Sequence, residues 1–563
     1  MAISAITNSR KSRFFFGLLA LSTAVILVVG LNLSALGGNW RWDDSVILLH
    51  IVEFELPQTF LLPQVWQELS RTNLMPLLVA SFNLDLALFG LEPQLFYAHQ
   101  LLVILLVAAA LYSLLRLYVQ KSFAVVGSLL FLIGSPVAIV AQQLMSRHYI
   151  EGLLFCLTAL ICQINYLRRH NLVWLVAGTF LYLLAVLAKE IYVPLVILLL
   201  FVPESRFSVR IKGACPHILV ALTYVFWRTN MLGSMLGGYT DPAVYFDPAF
   251  VPQVMGTFIT FPRLLLGEFW LLPTLCYVAL ITTYGFVCRS WMLFSALVLA
   301  LVLLPLVPLV QSPGINSPDR YLLLPWCVVI FSLIYCASSL YQRPNIEVAL
   351  WQRMAIGIVI ISVAGVAFSR QREVAANVLE TADEYDVLAE FIWAGEESQS
   401  FVPGPETNQA FWFITGLRDL KTRWLAGQSS PVPVPDDIFL NATTGVLFEY
   451  SKDCRCMLDI SETIASRRTA LQSSLDAEAE LRLQITYEDG QFAWDVGPYQ
   501  AGNYAFVSQD MGKVPVPPQG QVGATIPDGA ALLLRYDSPQ GWVTYSSPHQ
   551  VFRTPTAIAW ARP

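Results

Sequence analysis

Apolar residues run along the first two thirds of the chain in blocks of membrane-crossing length, separated by short polar joints. The blocks fall near residues 14–36, 96–117, 122–141, 149–166, 171–188, 191–203, 214–230, 266–287, 291–310, 321–341 and 352–369. A helix needs about 20 apolar residues to cross the hydrocarbon core, so the pattern predicts about eleven spans over residues 1–370. The block 191–203 is short for a span. Residues 14–36 are too long, and lack a small-residue cleavage site, for a removable signal peptide, and read as a first true span. A long first loop, 37–95, follows it. Within this loop "TFLLPQVWQEL" and "VASFNLDLALFG" are amphipathic and are expected to lie in the interface plane.

After about residue 371 the pattern changes. "VLETADEYDVLAEFIWAG" places Val378, Leu379, Tyr385, Leu388 and Phe391 at helical spacing. Beyond it, Pro/Gly turns such as "PVPVP" and "VPVPPQGQ" separate the alternating runs "LRLQITYEDGQFAWDV", "NYAFVSQ" and "ALLLRYDSPQGWVTYS". The Asp-Gly and Pro-Gln-Gly breaks in these runs are hairpin signals. The fold class expected is therefore a polytopic α-helical membrane protein, residues 1–370, carrying a C-terminal soluble domain, residues 371–563. That domain is read as a short helix followed by a mainly β sandwich or barrel. No tandem repeat occurs in the sequence.

Composition supports the membrane assignment. The chain is 56% hydrophobic and only 13% charged, where soluble proteins carry about 25% charged residues. A net charge of -6 without a Lys/Arg cluster offers no surface to nucleic acid. Lys11 with Arg13, Arg116 with Lys121, Arg168 with Arg169, Arg206 with Arg210 and Lys212, Arg289, and Arg343 through Arg353 fall on one side of the predicted bilayer. The positive-inside rule makes that side the cytoplasm. An odd number of spans then sends the C-terminal domain to the opposite face. The expectation is a multi-pass protein of a bacterial inner membrane with its C-terminal domain in the periplasm. Seven of the nine cysteines (Cys156, Cys162, Cys215, Cys276, Cys288, Cys327, Cys336) lie in apolar blocks and behave as small hydrophobes. No disulfide framework is expected. Cys454 and Cys456, with no histidine nearby, do not complete a zinc site.

The polar oddities collect on the non-cytoplasmic side. Asp43 and Asp44 follow the first span; they read either as a solvated helix cap or as a general base or metal ligand held at the membrane rim. Lys189 and Glu190 are adjacent charges between two apolar blocks, where a charge at the bilayer centre costs about 2.5–3.5 kcal/mol. They read as a rim ion pair or as site residues. Arg147-His148 and Asp319-Arg320 sit at helix ends on the same side. A guanidinium fork suits phosphate oxygens, while snorkelling at the rim is the plainer alternative. Three cations beside acids, Arg147, Lys189 and Arg320, favour a phosphate-binding cavity. His99 reads as packed at the interface, with a site role kept open, and His217 as structural.

The segments "WRWDDSVILLH", "RTNLMPLLVASFNLDLALFGLEPQLFYAHQLLVILLVAAALYSLL", "AKEIYVPLVILL" and "SPDRYLLLPW" occur in an order that resembles the GT-C membrane glycosyltransferases. The nearest likeness is to the transmembrane O-mannosyltransferases with tetratricopeptide repeats and their bacterial relatives. The aminoarabinose and protein O-mannosyltransferases are more distantly similar. The resemblance covers about residues 10–345. It implies a polyprenyl-phosphate sugar donor used on the non-cytoplasmic face, with Asp43 and Asp44 at the acceptor. It places Lys189, Glu190, Asp319, Arg320 and Tyr321 near the donor phosphate. Two departures stand out. Helical repeats are missing, and the relatives' Arg-Pro-Leu pattern is here Arg71-Thr72-Asn73-Leu74-Met75-Pro76-Leu77, which leaves Arg71 without an assigned role.

The chemistry agrees. A sugar phosphate carries its own leaving group, so what remains is to deprotonate a hydroxyl and to stabilise the released phosphate. The function expected is inverting hexosyl or pentosyl transfer to a glycan, lipid or protein hydroxyl. Asp43 would be the base, with Asp44 aiding it or sharing a divalent ion (Mg²⁺ or Mn²⁺). A transporter or flippase of lipid-linked sugars is the rival from another class; it predicts inverted repeats and midplane charges that the sequence lacks. Among enzymes, an O-antigen ligase or polymerase is the nearest competitor.

Overall fold

The computed structural model describes residues 2–563 except 201, 203, 236–247, 249, 288–317, 343–349, 443–444, 477–478, 489–490, 524–530, 554–557 and 562–563. The expected span 291–310 and the Asp319 side chain lie outside the described residues. The chain divides into two compact units, one of Met1–Gly38 with Glu55–Leu379, the other of Asn39–Phe54 with Glu380–Pro563. This division moves Asn39–Phe54, which holds the acid pair, out of the membrane region and into the C-terminal unit.

Among the described residues five helices are long and apolar enough to cross a membrane: Pro93–Arg116, Leu144–Arg169, Phe207–Leu232 and Arg320–Tyr341 in the first unit, and Arg353–Ala394, which begins in it. A bent pair, Lys121–Leu132 and Ser135–Gln142, adds a sixth if it is one span. The protein is thus a multi-pass helical membrane protein. Other expected spans form shorter apolar helices, Gly17–Leu31, Leu172–Ala188 and Leu271–Gly285. The block 191–203 is no α-helix. Glu190–Leu200 is drawn out as 3₁₀ turns, with Pro194, a residue that disfavours the interior of an α-helix, inside it.

Helix Pro93–Arg116 buries Phe96, Gln100, Val103, Val107, Leu111 and Leu114, spaced three or four apart, while Leu95, Leu102 and Leu106 face outward. Both faces are apolar, as a bilayer demands. Trp326 seats against the 54° bend, its indole N–H donating at 2.9 Å to the Phe131 carbonyl, which also accepts the Gly134 N–H at 3.2 Å. A Cβ at Gly134 would lie 2.2 Å from that indole nitrogen, so only glycine lets the ring approach.

The first loop holds helix Pro76–Phe89, which corrects the expectation of an interfacial helix with its polar face to water. Ser81 and Asp85 point inward and are buried, while Leu84 and Leu88 are exposed. The amphipathic pattern is real, but its polar side meets protein.

In the second unit, helix Asp44–Glu53 packs on helix Phe411–Trp424, and the Ser45 hydroxyl donates to the Phe413 carbonyl at 3.0 Å. A four-stranded sheet follows. Its strand Gln399–Val402 pairs in parallel with both Val432–Pro433 and Val446–Ser451, and the latter pairs antiparallel with Cys456–Asp459. This part is α/β rather than the expected helix-then-β. The rest is antiparallel, and the expected hairpins form: Arg482–Glu488 with Gln491–Gly497, and Ala531–Asp537 with Val543–Tyr545. Phe492 and Val496 of one sheet share a core with Tyr504, Phe506, Leu532, Leu534 and Tyr536 of another. Two open sheets around one apolar layer make this a sandwich.

Candidate functional site

The first turn of helix Arg147–Arg169 organises the polar interior of the first unit. Residues four apart share a helix face. Arg147 and Glu151 therefore look one way, while the intervening His148 and Tyr149 look another.

On the first face Arg147 is fully buried. Its Nη1 pairs with Asp85 and reaches Ser81 Oγ at 3.3 Å, its Nη2 donates to the Phe96 carbonyl at 2.9 Å, and its Nε donates to Gln100 at 3.2 Å. The guanidinium lies 4.8 Å over the Phe82 ring. Asp85 also takes His99 Nδ1 at 2.7 Å, and Ser81 donates to Glu151. Four of the five guanidinium N–H groups are thus committed to protein acceptors. Arg147, expected as a phosphate ligand, is here balanced by Asp85 and keeps one N–H beyond these four. His99 holds Asp85 and belongs to this network.

The second face gathers three stretches of the sequence. Lys189 is buried; its ammonium donates to Asn73 Oδ1 at 3.1 Å and sits 5.6 Å from the centre of the Tyr149 ring. The Tyr149 and Tyr321 rings meet edge to face at 5.4 Å, and Arg320 Nη2 reaches the Tyr321 hydroxyl at 3.2 Å. His148 stacks against Tyr149 at 4.3 Å and lies within electrostatic reach of both Lys189 and Arg320. Tyr192 fixes the arrangement from below, donating to the Tyr149 carbonyl at 2.5 Å. Its ring fits only because residue 152 is glycine, where a Cβ would lie 2.2 Å from the ring.

Lys189 and Glu190 do not pair with each other, contrary to the rim-pair reading. Glu190 binds Arg228 Nε at 2.6 Å and accepts the Leu74 N–H at 3.0 Å. Arg228 in turn donates to the Thr72 carbonyl at 3.2 Å. The two neighbours thereby hold the stretch Thr72–Leu74 from both sides. Asn73, Asp85, Gln100, Glu151 and Arg228 were missed by the sequence reading. Asp85 and Glu151 carried a usable signal, being acids inside apolar stretches just as Glu190 is. Arg71 is exposed.

In the second unit the acid pair splits its roles. Arg41 makes a double ion pair with Asp386, 2.6 Å at each oxygen. Trp42 has φ 49, a left-handed backbone that a bulky side chain rarely takes, and its ring packs on Tyr385 at 5.4 Å. Asp44 is fully buried and accepts the Arg41 N–H at 3.0 Å, closing the turn into its helix. Asp43 instead points to the surface and accepts the Trp412 indole N–H at 2.8 Å. The pair does not fit a divalent ion, because the two carboxylates are turned to different partners. Among the described residues no group of three or more His, Cys, Asp or Glu converges to hold one.

No family model and no curated protein matches the chain. Solved structures superpose on it. ArnT from Cupriavidus metallidurans bound to undecaprenyl phosphate is 12% identical, with 78% of this chain and 93% of that chain covered and a TM-score of 0.40. The oligosaccharyltransferase of Archaeoglobus fulgidus in its apo form is 11% identical, covering 92% of this chain and 76% of its own, with a TM-score of 0.41. ArnT from Cupriavidus metallidurans in the apo state gives 12%, 78%, 94% and 0.38 in the same order.

Proposed function

We propose that this chain is a membrane glycosyltransferase that moves a sugar from a polyprenyl-phosphate donor to a hydroxyl acceptor, with inversion. One observation carries the reading. Lys189 is a buried ammonium with three N–H donors, of which one is taken, by Asn73, among the described residues. The two remaining donors stand beside Tyr149, Tyr321 and Arg320, a cationic and hydroxyl-bearing corner at the end of membrane helices. The phosphodiester of the donor, and the phosphate monoester that it leaves behind, would offer anionic acceptor oxygens to these groups.

In the reaction the acceptor oxygen bonds to the anomeric carbon while the carbon–oxygen bond to phosphate breaks, its electron pair leaving on the phosphate. Lys189 and Arg320 stabilise that charge as it grows. As a separate assignment, within the C-terminal unit, proton removal is given to Asp43, the half-exposed carboxylate of the pair, since Asp44 is buried in its own turn. The C-terminal unit is placed on the non-cytoplasmic side. The Lys/Arg bias supports this, as does a disulfide between Cys454 and Cys456, a bond that persists in oxidising compartments.

The test is Asp43→Asn in a transfer assay with radiolabelled polyprenyl-phosphate sugar and membranes as the acceptor source. Turnover should fall by about 10²–10⁴ with donor binding unchanged. Near-normal turnover at equal protein level refutes the assignment and leaves Asp43 as the structural acceptor of the Trp412 indole N–H.

A further inference from the structure

The pair Cys454 and Cys456, left without a role by the sequence, forms a disulfide. Cys454 and Cys456 are bonded across a single residue, Arg455. They lie where the chain passes from strand Val446–Ser451 to strand Cys456–Asp459, and Cys454 is exposed.

Such a bridge is poorly suited to holding a fold together. Closing a three-residue ring removes very little freedom from the unfolded chain, and the chain-entropy gain of a disulfide shrinks with the loop it closes. The two strands are already joined without it, through the antiparallel register Phe448↔Asp459 to Ser451↔Cys456. The ring also has a cost. Arg455 is held at φ 51, the left-handed region that penalises every residue with a side chain. Opening the ring releases that residue. The tip keeps other anchors when opened, since Arg455 pairs with Asp383 at 3.1 Å and Lys452 with Glu380. An exposed, conformationally taxed bridge that the fold does not need is of the labile kind.

We propose that Cys454–Cys456 is a reversible thiol–disulfide exchange site. An incoming thiolate attacks Cys454 Sγ, and the Cys454–Cys456 bond breaks with its electron pair leaving on Cys456, which then takes a proton. A second thiolate attacks the outer sulfur of the mixed disulfide and releases Cys454, which is protonated in turn. Two external thiols become one external disulfide, and the protein bridge gains two electrons and two protons. The natural reductant is a thiol of the glutathione class or a protein dithiol, and glutathione is the probe. This inference is independent of the sugar-transfer reading.

The test uses the full chain in detergent, equilibrated in glutathione buffers of rising reduced-to-oxidised ratio, trapped with a maleimide and read peptide by peptide by mass spectrometry. Both thiols should appear together while the chain remains folded. Cys456→Ser should accumulate a glutathione adduct on Cys454, because the resolving sulfur is gone. Arg455→Gly removes the backbone penalty, so its bridge should need a roughly tenfold more reducing buffer to open. The double variant Cys454→Ser/Cys456→Ser should melt within about 2 °C of the parent. A bridge that stays closed at every ratio tolerated by the folded chain overturns the proposal. So does a double variant that melts many degrees lower, which would make the bond structural.

Discussion

Replacing Lys189 by Met separates a ligand-binding cation from a structural one. Methionine keeps the length of the side chain and loses the charge. Inside the protein the ammonium has one hydrogen bond, to Asn73 at 3.1 Å, so the variant should lose about 1 kcal/mol of stability. A phosphate oxygen held by the other two donors would contribute a charge-assisted bond of about 1.5–3 kcal/mol. At 1.4 kcal/mol per decade this is about a 10- to 150-fold loss of affinity for polyprenyl phosphate. The same change at Arg147 should behave in the opposite way. It strips the cation from Asp85, which is 1% exposed and leans on Arg147 for its charge balance. Breaking a buried pair by removing one partner costs about 3–5 kcal/mol. Lys189→Met should therefore fold and bind poorly, while Arg147→Met should unfold at lower temperature whatever ligand is present. Binding measured by fluorescence titration with a short-chain polyprenyl phosphate, beside thermal unfolding in the same detergent, reads both. Unchanged affinity in a folded Lys189→Met would refute the phosphate corner. A well-folded Arg147→Met that no longer binds would show that the two faces of the helix have been assigned the wrong way round.

Two further outcomes follow from particular contacts. Gly152→Ala places a Cβ where the Tyr192 ring now lies, so the ring must move and release the Tyr149 carbonyl. Polyprenyl phosphate binding should fall together with a loss of about 1–3 kcal/mol of stability, and a normal melting curve with normal binding would disprove the packing role. His50 is buried in helix Asp44–Glu53, and burial lowers its pKa to about 4 from 6.5. The unfolded chain then takes up a proton between these values while the folded chain does not, so stability falls as pH drops from about 6.5 towards 4. The loss from this group is at most about 3 kcal/mol. His50→Leu should flatten that part of the stability–pH curve for the C-terminal unit, and an unchanged slope would mean that other groups set it.

Much of the architecture was legible because its signals are local. An apolar block of twenty residues, an Asp-Gly break between alternating runs and a proline inside a short block each act on their own neighbourhood. They identified most of the helices, the hairpins of the sandwich and the weak span after Lys189. The same local signals misjudged helix Pro76–Phe89. Its periodicity correctly gave two faces, but beside a bilayer the apolar face can look outward. Ser81 and Asp85 then turn inward to Arg147.

Lys189, Glu190, Arg320 and Tyr321 could be singled out from the sequence alone, because charges and hydroxyls at the ends of apolar blocks are costly wherever they go. Their partners could not. Asn73 lies 116 residues from Lys189, and Asp386 lies 345 residues from Arg41. Nothing in the spacing near Arg147 says that four of its five N–H groups will be taken while, among the described residues, Lys189 makes one hydrogen bond. The separation of Asp43 from Asp44 has the same origin. Adjacent and chemically identical in the sequence, they diverge because Asp44 takes the Arg41 N–H of its own turn while Asp43 takes the indole N–H of the distant Trp412. The sequence determines which groups are too polar to be left alone. Which partner satisfies each of them, and which is left with a hydrogen bond to offer, is decided only when distant segments pack.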